Sequence, residues 1–131
     1  MRINNFEDLE VYKKAREFRI EIYRLIKELP PEEKFNLCPQ MRRAATSTTN
    51  NIAEGFGRYH YQENIQFCRQ ARGSINELID DFNICLDENY IDKERINALK
   101  IQAYELIKIL NGYIAYLKRS KTLITNNLIT Q

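Results

Sequence analysis

The chain has 131 residues, 44% of them hydrophobic and 29% charged, with a net charge of +2. That balance belongs to an ordinary soluble globular domain and argues against a disordered or fibrous chain. With no run of about 18 apolar residues and no basic segment leading into an apolar one, neither a spanning helix nor a signal peptide is expected; no membrane partner is expected either, and the cytoplasm is the expected compartment.

Asn5, followed three residues later by Asp8, is an N-cap pattern that opens a first helix. Leu9, Tyr12, Ala15, Phe18, Ile22, Leu25, Ile26 and Leu29 then recur at three and four, a stripe that ends at Pro30-Pro31. A second helix is expected from Pro39 to about Gly55, because Met41, Ala44, Ala45, Thr48, Ile52 and Ala53 keep the same period. Pro39 suits its first turn, and Gly55 or Gly57 offers a left-handed residue to end it. A third helix is expected over residues 61–88, with Gly73 and Ser74 near its middle. Asp92 caps a fourth, whose Ile96, Leu99, Ala103, Leu106, Leu110, Tyr113 and Leu117 alternate strictly by three and four, the seam of helices that pack nearly antiparallel.

Four helices with short connections and no strand signal specify an all-α, antiparallel up-down-up-down four-helix bundle over residues 1–120. Two helical hairpins swapped between chains satisfy the same pattern. Residues 121–131 lose the pattern and are expected to fray or to dock on a neighbour through Leu123, Ile124, Leu128 and Ile129.

The second helix carries the unusual stretch. Ser47 through Asn51 are five consecutive small polar residues, of types that compete with the helix backbone for hydrogen bonds. An enclosed face would require Asn51 and Glu54 to be bonded to backbone or arginine, and the run suggests surfaces that one bundle does not satisfy alone. Charge also concentrates here. Residues 1–38 hold eight basic and eight acidic groups and residues 73–131 hold seven and eight, whereas residues 39–72 hold five arginines against two glutamates. Arg42, Arg43, Arg58, Arg69 and Arg72 are therefore the candidate nucleic-acid-binding residues, since the guanidinium fork matches phosphate oxygens. Partnership with Glu54, Glu63 or Glu77 is the competing structural role.

The same stretches resemble the four-helix bundle proteins encoded in intervening sequences of bacterial 23S ribosomal RNA genes. The resemblance rests on Phe6-Glu7-Asp8-Leu9 with Tyr12, Lys14 and Ala15, and on Leu37, Gln40, Arg42-Arg43-Ala44-Ala45 and Ser47. It continues through Asn51-Ile52-Ala53-Glu54-Gly55, Gly57-Arg58, and Phe67 with Ala71-Arg72-Gly73-Ser74 and Glu77. Ser47, Asn51, Glu54, Gly55 and Gly57 are thereby marked as a structural motif, while Thr48 and Asn50 depart from the family by making the helix more polar. That family is similar to the accessory variability determinant of diversity-generating retroelements, a basic five-membered ring. The likeness implies a homopentamer, a polyanion partner and, by distant analogy, a reverse transcriptase.

An enzyme would need a base-activated nucleophile, paired carboxylates or a metal site. One histidine, His60, cannot supply the paired Glu-x-x-His motifs of a bundle metal centre. Cys38, Cys68 and Cys85 lack a CxxC spacing and read as reduced core thiols. No catalytic residue, metal or cofactor is expected. The sequence therefore points to a non-enzymatic homo-oligomer with modest, sequence-tolerant RNA or DNA binding; the alternative is a scaffold that binds protein only. Phe56, Tyr59 and Tyr61 suit either a protein interface or a platform for unpaired bases.

Overall fold

The computed structural model describes residues 2–130, with side chains through residue 123. Helices α1 (Glu10–Ile26), α2 (Leu37–Gly57), α3 (Tyr61–Asp87) and α4 (Lys93–Thr130) account for nearly all of it, and no strand occurs among the described residues. Cross-helix pairs show how consecutive helices run. Arg19 meets Thr49 and Tyr23 meets Thr46 between α1 and α2, and Gln40 meets Asp81 while Ser47 meets Ser74 between α2 and α3. Asn83 meets Lys100 and Arg72 meets Asn111 between α3 and α4. In each set one number rises as the other falls, so consecutive helices are antiparallel.

The apolar stripes converge on one core. Phe18, Ile22 and Leu25 of α1, Met41 and Ile52 of α2, Ile75, Leu78 and Phe82 of α3, and Ile96, Leu106 and Leu110 of α4 are fully buried. Phe18 and Phe82 meet edge to face across it, ring centroids 6.3 Å apart, the arrangement that places a ring edge on a π-face. Cys68 and Cys85 are buried, and Cys38 is partly buried.

Four boundaries differ from the sequence expectation. Asn5 caps only a 3-10 turn, Phe6–Asp8, because Leu9 takes extended backbone and turns inward before α1 begins. Its Oδ1 accepts from Glu7 N–H at 2.8 Å, and the Asp8 carboxylate accepts from Asn4 N–H at 2.9 Å. Helix α1 stops at Ile26, before Pro30, since the N–H groups of Glu28 and Leu29 bond three residues back and tighten its last turn. Helix α2 begins two residues before Pro39, which still lies in the first turn. No glycine is left-handed; the positive φ angles fall on Tyr59 (59°) and Asn89 (59°), so neither Gly55 nor Gly57 ends α2 in that way.

Helix α4 continues past Ser120 to Thr130. The expected docking of Ile124, Leu128 and Ile129 on a neighbour lies outside the residues whose side chains are described.

Candidate nucleic-acid interface

The polar run of α2 is largely satisfied within the bundle. Thr48 and Thr49 are buried; Thr48 Oγ1 donates to the Ala44 carbonyl at 2.9 Å and Thr49 Oγ1 to that of Thr46 at 3.2 Å. Thr49 also accepts from Arg19 at 2.9 Å, a partner that sequence spacing gave no reason to choose. Asn51 Nδ2 donates to both the carbonyl and the hydroxyl of Ser47 at 2.8 Å, and Ser74 Oγ reaches that hydroxyl at 3.0 Å. Back-bonding to the carbonyl one turn earlier is how Ser, Thr and Asn sit inside a helix. The run therefore does not by itself require a second copy, which corrects the expectation drawn from its composition.

Small side chains serve a different purpose at Gly55. A Cβ placed there would lie 2.7 Å from Asn64 Oδ1 and 2.9 Å from Phe67 Cβ, so glycine permits α2 and α3 to close together just before the turn between them. Gly57, the last residue of α2, is exposed with open space around it.

The five arginines spread over several flanks. Arg42 lies over the Tyr23 ring of α1, 4.6 Å from its centroid, a cation–π placement. Arg72 turns the other way and donates to Asn111 Oδ1 of α4 at 2.7 Å. Arg58 pairs with Glu54 at 2.7 Å, approaches Glu63 at 4.0 Å and covers the Phe67 ring at 5.2 Å. Both glutamates near the α2–α3 turn thus attend one guanidinium. Arg43 and Arg69 are exposed and make no side-chain hydrogen bond or ion pair among the described residues. The sequence placed all five around one turn; the fold makes them a belt across the α1, α2–α3 and α4 flanks.

Along the outer face of α2, two shallow depressions of about 550 and 510 Å³ meet at Asn50. Arg42, Arg43, Thr46 and Ser47 line the first, and Ala53, Glu54, Gly57 and Arg58 the second. Among the described residues no group of three or more His, Cys, Asp or Glu side chains could hold a metal ion, and no helix is long and apolar enough to cross a membrane.

This arrangement can be set beside known proteins. A family model for 23S rRNA-intervening sequence proteins matches residues 7–112. The chain belongs to that family. A crystal structure of a protein of unknown function from the S23 ribosomal protein family of Bacteroides thetaiotaomicron is 27% identical, with a TM-score of 0.74 over 80% of this chain and 95% of that one. No curated relative matches the chain.

Two features of the site have only a weak trace in the sequence. Asp81 is fully buried, with Oδ1 accepting from Gln40 at 2.8 Å and Oδ2 without a partner. Burial first, then Glu77 and Asp80, push its carboxyl up to about 7. It lies just off the apolar stripe of α3, and only the approach of α2 encloses it. Asn64, also buried, donates to Tyr113 Oη at 3.1 Å; its burial follows from the Gly55 contact.

Proposed function

We propose that the chain is a non-enzymatic, homo-oligomeric bundle of the cytoplasm that holds single-stranded RNA or DNA on its arginine belt. The observation that carries this reading is charge left uncompensated: of the five arginines, Arg58 alone pairs with a carboxylate among the described residues. Arg42 and Arg72 rest against a ring and an amide, which keeps their charge, and Arg43 and Arg69 project freely. One protomer with so few contacts binds a polyanion weakly. Repetition of the belt around a ring makes later contacts intramolecular and raises avidity without new chemistry.

The test is binding of a single-stranded RNA at low salt alongside native mass. Affinity should fall steeply with salt, by roughly 0.7 log units per phosphate contact per decade. Arg43→Ala with Arg69→Ala should weaken it far more than Lys13→Ala with Lys14→Ala on charge-balanced α1. Equal losses from the two pairs, or no binding with the oligomer intact, would sink the reading in favour of a protein scaffold. A monomer at every concentration would remove the ring.

A further inference from the structure

A second candidate site lies away from the arginines, at the end of the bundle where the α2–α3 turn, the N-terminal segment and α4 converge. A cavity of about 460 Å³ opens there, walled by Phe56, Tyr59, Tyr61, Tyr113 and Tyr116 with His60 at its edge. Its size falls in the range of small-molecule sites. Tyr113 and Tyr116 stack nearly parallel, 17° between planes with centroids 6.3 Å apart.

Its polar groups are few and specific. Asn64, 7% exposed, lends its amide N–H to Tyr113, while its Oδ1 faces Gly55 of α2 and accepts from the Cys68 thiol at 3.6 Å. The His60 imidazole and the Tyr59 and Tyr116 hydroxyls make no hydrogen bond among the described residues. The lining holds no carboxylate, ammonium or guanidinium group, so nothing in the wall selects a charged ligand.

Tyr59 is 88% exposed and sits in left-handed backbone at φ 59°. A bulky non-glycine residue held there carries a conformational cost. The turn keeps an aromatic ring at the cavity mouth despite it.

Flat aromatic faces, hydrogen-bonding edges and no charge describe a receptor for a neutral heteroaromatic ring. We propose that this cavity binds one unpaired nucleobase, stacked against the tyrosines with its polar edge toward His60 and the Tyr59 and Tyr116 hydroxyls. The inference deepens the nucleic-acid reading and rests on it: arginines hold the phosphates, and this pocket holds a base. Base–aromatic stacking is sequence-tolerant, because every base has a π-face.

The experiment separates the two readings by using a ligand too short to span the belt. His60 is the single histidine, so its ring-proton signal is unambiguous in a spectrum of the full chain. Adenosine 5′-monophosphate at millimolar concentration should shift that signal saturably, whereas ribose 5-phosphate should leave it unmoved. Tyr59→Ala and Tyr116→Ala should each weaken the response at least about fivefold, the lower end expected for a lost stack. Tyr104→Ala, an exposed tyrosine of α4 outside the cavity, should not. No saturable shift, or an equal shift with ribose 5-phosphate, overturns the base pocket even if longer RNA still binds through Arg43 and Arg69. Loss of the oligomer in Tyr59→Ala with the nucleotide response intact would assign this end to contact between copies and overturn it as well.

Discussion

Helices α2 and α4 both pack against α3, but by different means. Helix α4 presents Ile96, Leu99, Ala103, Leu106, Leu110 and Leu117, all buried, with its polar pairs to Asn83 and Arg72 at the margins. Helix α2 meets α3 through Gln40 on buried Asp81, Ser47 on Ser74, and Gly55 against Asn64 and Phe67. An apolar seam tolerates small shifts, because its attraction is non-directional and scales with buried area. A seam of hydroxyls, amides and a glycine depends on distance and orientation. The lesson is that the more polar helix is the one whose placement is more tightly specified.

The largest expected effect lies on the apolar side. Leu110→Ala should lower unfolding stability by about 2–5 kcal/mol, through lost transfer energy and a residual cavity. Thr48→Val on α2 should cost less than about 1 kcal/mol, because removing its hydroxyl leaves the Ala44 carbonyl with its helical N–H partner. Urea unfolding of the two variants would expose any reversal of this order, which would mean that the hydroxyl network of α2 carries the bundle.

Next comes pH, acting on the α2–α3 seam through Asp81. Asp81 is raised to about 7 in the folded chain, against about 3.9 when unfolded. The folded state thus holds this proton more tightly, so its stability contribution is fully present below about pH 4 and is lost as pH rises through 7. The loss is on the order of 2–4 kcal/mol by pH 8. Asp81→Asn should flatten that dependence, judged by urea midpoints of wild type and variant across the window. Parallel pH profiles for the two would show that the carboxylate is solvated.

A pair of helical glycines sharpens the contrast further. Gly55→Ala should destabilise by about 1–3 kcal/mol, since overpacking forces α2 from α3, where Asn64 Oδ1 would stand 2.7 Å from the new methyl. Gly112→Ala on α4 meets open space and should instead stabilise by about 0.5–1 kcal/mol. Melting temperatures that move in the same direction for both would contradict the close approach at Gly55.

Residue types and their spacing were enough to determine the four helices, the apolar stripe of each, the polar interruption in α2 and the concentration of arginine in residues 39–72. These follow from local periodicity, which the side chains carry in their order along the chain. The family was legible for a related reason, since its most specific motif lies in one continuous run from Asn51 to Arg58. Tertiary structure decided the rest. It placed Arg42 on Tyr23 and Arg72 on Asn111, gave Arg58 both glutamates, and left Arg43 and Arg69 free. It turned Gly55 from a possible helix end into a point of contact, moved the left-handed backbone to Tyr59, enclosed Asp81 and gathered distant aromatics around one cavity. Each of these depends on which residues of other helices come within a few ångströms, and that distance is set by how whole helices pack rather than by any neighbour in sequence.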